Sequence, residues 1–530
     1  MKERGVLLPI FSLPSKYGVG DFGYEAYEFV DILCSNGIDY WEILPINACD
    51  NKPYSPLSFY ALNTTYISLD KLKDDGLLDD IAVRPSTSRV KYDDFKMKYF
   101  YQAFGKFVPD DGFYKFIEKE EIKEYVEYVT RKFGGTREFH YFLQYKAYTQ
   151  WMQLREYANS KNLRIIGDMP AYPVFNSTEA YFHSEFYEMV NGKYTFEAGA
   201  PPDYYNRNGQ KWGNPVYDVA NIKKDNYQYF IKRYEWFLHL FDIVRLDYFK
   251  GFDSFYKIPI GEPPENGVYC DGLSYGFFDA LFKVPGIKVK DFIIEDLGDI
   301  REETVALRKR YEFTRQKVLQ FTLDLNNLYD KDNVSDNAMV LTGTHDCKTI
   351  RTWYEDLSEE YKNNLKEFLR EHECEFHDVS VGIMQYAMAC KGRIAMLPVQ
   401  DILWLDDDAR INFPGTTSER NWSWKLVDFS GLRERLQLFD RHTVIKMDRP
   451  YVEEETPKSE ETSEPEEVPQ EQEVQNPQEP EQQDEVAPNL ESPQEIEEAQ
   501  ENTTNKDEDE DLNNDIDQYL QEFKDLNNFN

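Results

Sequence analysis

The chain is 530 residues long and carries 98 acidic against 60 basic residues, a formal net charge of −38. That length allows a large core, and the acidity argues against nucleic acid or an anionic membrane as the partner. Six scattered cysteines (34, 49, 270, 347, 374 and 390) form no CxxC pair, and no apolar run approaches the length of a membrane span. Reduced thiols in a cytoplasmic protein are therefore expected, with neither signal peptide nor membrane helix.

Gly5–Ile10 reads as a first strand. Gly18, Gly20 and Gly23 formally match G-x-G-x-x-G, but Asp21 inside the run would repel a phosphate, so a dinucleotide site is not expected. Tyr24–Ser35 has helical apolar spacing and Gly37 is placed to stop it. Tyr40–Ile46 then reads as a second strand, and strand, helix, strand is the unit of a parallel sheet.

Residues 53–59 (PYSPLSF) form a loop with exposed aromatics, Tyr54 among them. Roughly 71–136 is Lys- and Glu-rich and reads as a mainly helical insertion, part of an inserted region at about 47–140. A long helix at Tyr141–Ser160 leads to a buried strand at Leu163–Ile166, followed by Asp168. Residues 199–215 (GAPPDYYNRNGQKWGNP) lack a period and read as a long ordered loop, the kind that often carries function. A helix over Asp225–Phe241 leads into IVRLDYFKGF at 243–252, where an apolar strand ends in Asp247.

The same pattern recurs at Phe292–Ile294 before Glu295, Met339–Thr342 before His345 and Asp346, and Ile394–Val399 before Asp401. Helices over Glu302–Tyr311 and Ser358–Glu371 separate these strands. Apolar strands alternating with helices, each strand ending in acids, point to an α/β fold, a (β/α)8 TIM barrel with its site at the C-terminal face. After Trp424 the globular pattern fades. Residues 451–530 hold 28 of the acids and 3 of the bases, so residues 448–530 read as a disordered acidic tail behind a catalytic unit of 1–447. A short apolar stripe at 513–526 (Ile516, Tyr519, Leu520, Phe523) is a candidate docking helix for an unknown partner, with chance amphipathy the simpler reading.

Several carboxylates, few histidines and many aromatics around one mouth suit glycosyl transfer. That reaction needs one ionised acid, one protonated acid and flat faces for sugars. Arg245 lies two residues before Asp247, so both leave the same face of the strand, and the arginine is expected to hold Asp247 ionised as a nucleophile. Glu295, capping the apolar FII strand, is expected to be buried and protonated as the general acid. His345 and Asp346 offer hydrogen bonds to sugar hydroxyls. Each residue also has a plain structural reading: a strand-end ion pair, a helix N-terminal charge, a loop cap. Four such strand ends in one chain weigh against those readings together.

The motifs IVRLDYFKGF, FIIEDLG, TGTHD, GDMPAYPV, PPDYYNRNGQKWGNP, SLPSKYGVGDFG and LPVQDILWLDDDARINFPG resemble the amylomaltases of glycoside hydrolase family 77. These are 4-alpha-glucanotransferases, also called disproportionating enzymes. The resemblance runs from about Gly5 to Trp424 in the family's order. It implies a TIM barrel with inserted subdomains, no cofactor or metal, and retaining transfer of alpha-1,4-glucan segments among maltooligosaccharides and glucose. Asp247 would be the nucleophile, Glu295 the acid/base and Asp346 the transition-state stabiliser. Arg245, His345, Asp168, Tyr54, Asp401 and Asn412 would bind or support the reacting sugar. Asp203, Tyr204, Tyr205, Gln210, Trp212 and Asn214 would form an acceptor-side lid. The chain departs from the family at Tyr248 and Lys250 (usually His and Arg), at Cys347 and Lys348 (commonly Asn-Asp), and at Lys52 (usually Ser). A hydrolase of the same fold and a weakly active glucan-binding scaffold are the alternatives.

Overall fold

The computed structural model describes residues 2–202, 207–295, 297, 300–323, 337–375 and 377–439. Asp203, Tyr204, Tyr205, the acidic tail and the 513–526 stretch lie outside the described residues.

Eight parallel strands close into a barrel: β1 (Glu3–Leu7), β2 (Tyr40–Glu42), β3 (Arg164–Met169), β4 (Ile243–Leu246), β5 (Phe292–Ile294), β6 (Thr314–Val318), β7 (Ala338–Leu341) and β8 (Ile394–Pro398). Each strand pairs with its sequence neighbour, and β1 closes the ring on β8 with Gly5 opposite Met396. Leu7, Tyr40, Ile166, Ile243, Ile293, Met339, Leu341, Ile394 and Met396 pack together as one cluster inside the ring. Alternate strand residues face opposite ways, so Ile243 inside carries Arg245 inside as well. Two glycines are required by packing. A Cβ on Gly5 would fall 2.2 Å from Met396 Cε, and one on Gly167 would fall 2.2 Å from the Phe241 ring.

Outside the ring, helices bury the opposite faces of the strands in a much larger cluster. The helix Tyr24–Ser35 ends where expected, with Gly37 at φ +65°. The insertion between β2 and β3 is helical, with helices at Leu69–Asp74, Met97–Lys106, Asp111–Ile117, Glu120–Phe133 and Arg137–Ser160. The last begins four residues earlier than the apolar spacing suggests, because the Thr136 side chain caps it by accepting from the Phe139 amide. Within the G-x-G-x-x-G stretch Asp21 is buried and paired with Lys96 at 2.7 Å, a tie within the fold and not a phosphate cradle.

Several expectations are corrected. β3 runs on to Met169, so Asp168 stands inside the strand. The region 199–215 is not all loop: Phe196–Ala200 and Gln210–Pro215 are strands that pair antiparallel. With Ser254–Pro259 and Val268–Asp271 they form a four-stranded antiparallel sheet. The helix expected at 225–241 is present as Gln228–Leu240, starting after Tyr227 at φ +63°, and a separate short helix, Val219–Lys224, precedes it. The globular part continues past Trp424, since Leu426, Leu432, Leu436 and Phe439 are buried in the outer core. Among the described residues no helix is long and apolar enough to cross a membrane.

Candidate active site

The C-terminal ends of β3, β4, β5 and β7 bring most of the expected residues to one place. Leu246 of β4 is paired with Ile294 of β5, so Asp247 and Glu295 are the next residues on neighbouring strands, whose backbones lie about 4.8 Å apart. The Glu295 amide donates to Leu246 O at 3.0 Å and the Phe249 amide to Glu295 O at 3.1 Å. The Glu295 carboxylate accepts from the Tyr248 amide at 3.0 Å and the Leu297 amide at 3.1 Å. Its side chain is half-buried, not sealed in the apolar pocket expected, because the strand ends at Ile294 and the acid projects beyond it.

Arg245 is the hub of the charges. Its Nη1 reaches both oxygens of Asp168 at 2.9 Å and Oδ1 of Asp247 at 3.0 Å, and its Nε donates to Gln316 Oε1 at 3.1 Å. Residues 168 and 245 are register partners on β3 and β4, which explains the close pairing. The expectation that Arg245 leaves Asp247 with a depressed pKa is corrected. Burial pushes the Asp247 carboxyl up to about 6 against the pull of Arg245. The guanidinium is shared with Asp168, whose negative charge adds to the upward shift.

Tyr54 extends the network. Its hydroxyl donates to Asp168 Oδ2 at 2.6 Å and lies 3.3 Å from His345 Nδ1, while the two rings stack at 4.8 Å and 18°. Trp422 packs on both. The tyrosine proton goes to Asp168, and His345 Nδ1 makes a second polar approach to the same oxygen. Burial lowers the His345 pKa below its ordinary value, so at neutral pH the imidazole is uncharged and its 3.4 Å approach to Asp346 is not an ion pair.

Asp346 stands at the rim. Its Oδ1 accepts from Asn412 Nδ2 at 2.7 Å and its carbonyl from Arg410 Nη2 at 2.6 Å, while Arg410 Nε donates to Asn412 O at 2.7 Å. The Asn412 amide closes the clamp by donating to His345 O at 3.1 Å. Asp401 is elsewhere. It is buried, its oxygens take Thr342 Oγ1 at 2.5 Å and the Ile350 amide at 2.8 Å, and burial raises its carboxyl to about 6. It ties down the loop after β7. Asn214 is also buried and donates to Pro173 O at 2.8 Å. Gln210 accepts from Trp212 Nε1 at 3.1 Å, and the Trp212 ring meets Tyr248 edge-on.

Two residues of the network escape a sequence reading. Gln316 lies on β6, and Gln316 Nε2 donates to Glu42 Oε1 at 3.4 Å. Burial pushes Glu42 up to about 8, the nearby Asp168 adding to the shift and Arg245 opposing it. The departures from the family pattern are also placed. Lys348 pairs with Asp356 at 2.5 Å on the surface, so its charge is spent away from Asp346. Lys250 donates to the Tyr269 hydroxyl at 3.3 Å. Burial raises the Cys347 thiol to about 11, which leaves it an unreactive thiol at neutral pH. Among the described residues no group of three His, Cys, Asp or Glu side chains is arranged to hold a metal ion.

Comparison with known proteins places the chain as a whole. The family model described as 4-alpha-glucanotransferase matches residues 8–132 and 119–430. A 4-alpha-glucanotransferase of Aquifex aeolicus is 32% identical over 475 residues, covering 81% of this chain and 96% of its own. One from Synechocystis is 34% identical over 474 residues, covering 79% and 93%. Among solved structures, an amylomaltase from Streptococcus agalactiae in complex with acarbose superposes with a TM-score of 0.77 at 26% identity, covering 83% of this chain and 98% of that one. With a charge-paired acid at one strand end, a second acid at the next and matches along nearly the whole described length, the chain belongs to the 4-alpha-glucanotransferase family, the amylomaltases.

Proposed function

We propose that the chain transfers alpha-1,4-glucan segments between maltooligosaccharides and glucose by a retaining double displacement. The observation that carries this reading is the placement of Asp247 and Glu295 as register neighbours on β4 and β5, the former paired with Arg245. In the first step the Asp247 carboxylate attacks the anomeric carbon while protonated Glu295 gives its proton to the glycosidic oxygen. The C–O bond breaks, the reducing-end segment leaves as an alcohol, and the remaining glucan is held as an ester on Asp247. In the second step the acceptor hydroxyl gives its proton to Glu295, its oxygen takes the anomeric carbon, and Asp247 leaves as a carboxylate. Two inversions retain the alpha configuration.

Asp346, oriented by Asn412, serves as acceptor for sugar hydroxyls whose hydrogen bonds strengthen as positive charge develops on the ring. His345 and Tyr54 present a stacked aromatic wall beside it. Trp212 supplies a flat apolar face on the acceptor side. The catalytic unit is residues 1–447, and six free cysteines favour a reducing, cytoplasmic setting.

Incubation with maltotriose tests the reading. A ladder of maltodextrins longer than the donor, together with glucose, is the expected result. Shorter products alone would make the protein a hydrolase, and unchanged maltotriose with retained amylose binding would make it a scaffold.

A further inference from the structure

We infer that Tyr248 is a positioning residue that locks the Trp212 sheet against the catalytic strand end and so sets how far a sugar acceptor outcompetes water; this rests on the glucanotransferase reading above. Tyr248 directly follows Asp247 and holds φ at +50°, a backbone region that bulky residues rarely enter. In that conformation its amide donates to Glu295 Oε2 at 3.0 Å. The turn is built around the ring as well. The Gly251 amide donates to Tyr248 O at 2.9 Å, and a Cβ at Gly251 would come within 2.8 Å of the Tyr248 ring.

The ring reaches away from the barrel into the antiparallel sheet. It meets Trp212, on the strand Gln210–Pro215, edge to face at 4.9 Å and 86°. One residue thus joins two things by separate contacts: the carboxyl of Glu295, through its amide, and Trp212, through its ring.

These contacts bear unequally on the two half-reactions. Cleavage of the donor needs the Glu295 proton delivered to a glycosidic oxygen already bound. Release of the glycosyl group needs an acceptor seated beside Trp212, with its hydroxyl in line with the anomeric carbon and its proton aimed at Glu295. Water needs no such seat. A displacement of about 1 Å between Trp212 and Glu295 therefore penalises the sugar acceptor more than water.

The experiment compares wild-type with Tyr248→Asn, which tolerates the left-handed backbone while losing the ring, and with Tyr248→Phe, which loses only the hydroxyl. With maltotriose as donor, longer maltodextrins and total new reducing ends give the transfer-to-hydrolysis ratio, and added glucose gives the acceptor KM. In Tyr248→Asn the ratio should fall about three- to tenfold, the range an edge-to-face aromatic pair accounts for. The acceptor KM should rise while donor cleavage falls by less. Tyr248→Phe keeps the ring pair and should hold a ratio above that of Tyr248→Asn. Combining Tyr248→Asn with Trp212→Leu should cost no more than the larger single effect. A ratio within twofold of wild-type in a folded Tyr248→Asn, or losses that multiply in the double variant, would overturn the inference. If Tyr248→Asn does not fold, an unchanged ratio in Trp212→Leu, which breaks the same ring pair from the other side, overturns it. A wild-type protein that makes nothing longer than its donor sinks the transferase reading and this inference together, whereas an active transferase with an unmoved ratio sinks this inference alone.

Discussion

Two carboxylates of the same mouth, Asp247 and Asp346, live in different surroundings. Asp247 belongs to a sealed charge cluster: the Arg245 side chain is 5% exposed and that of Asp168 1%, and Asp247 itself is 24% exposed. Asp346 is 45% exposed, its carboxylate held by the neutral amide of Asn412 and its backbone carbonyl by Arg410. Burial sets the charge state at the floor, so the nucleophile's protonation depends on how one guanidinium is divided. At the rim, direction matters more than charge, because water already keeps the carboxylate comfortable.

The sharpest break in that comparison is chemical. Asp247→Asn should lower kcat by about four orders of magnitude or more, and Glu295→Gln by about 10²–10⁴-fold, both with unchanged circular dichroism and melting temperature. Wild-type-like activity in either would remove the residue from its proposed role. Next comes the hub. Arg245→Met leaves Asp168 and Asp247 without their shared cation and should destabilise the protein by about 3–5 kcal/mol, read as a large fall in melting temperature at neutral pH. At the rim, Asn412→Ala releases the Asp346 carboxylate from a hydrogen bond to a charged group. A drop of about tenfold in kcat is expected, with little change in melting temperature because the site is open to water.

The smallest effect is a shift in pH. Burial raises the Asp247 carboxyl to about 6, so kcat/KM should fall as pH drops through that value and the nucleophile takes up a proton, and should recover above it. Asp168→Asn removes the competing carboxylate, which raises the Asp247 pKa in the native cluster. The acid limb of kcat/KM should then move to lower pH. A limb that stays in place or moves upward would mean that Arg245 is not divided as described.

The acids were easy to read in the sequence because each ends an apolar run, and seven of the eight barrel strands stand out for the same reason. β6, TRQKV, does not. Its residues alternate buried and half-buried, and Gln316, which points to the hub, is polar. No apolar periodicity marks such a strand, so both it and its site residue were hidden until the ring closed around them. The Tyr54–His345 stack was invisible for another reason, since 291 residues separate the partners and only the barrel brings them together. Gly/Pro/Asn-rich composition hid the strands at Phe196–Ala200 and Gln210–Pro215. Phe196–Ala200 pairs with Ser254–Pro259 on one side and Gln210–Pro215 on the other, so tertiary pairing, not local propensity, makes them strands.

The enclosure of Arg245 has a further consequence. Dissolved ions weaken interactions between charges that face solvent over a distance of about 8 Å at physiological ionic strength, but they reach enclosed pairs poorly. The attraction that steadies the nucleophile is therefore shielded from the surrounding electrolyte, and turnover should tolerate added salt even though the outside of the molecule is strongly anionic.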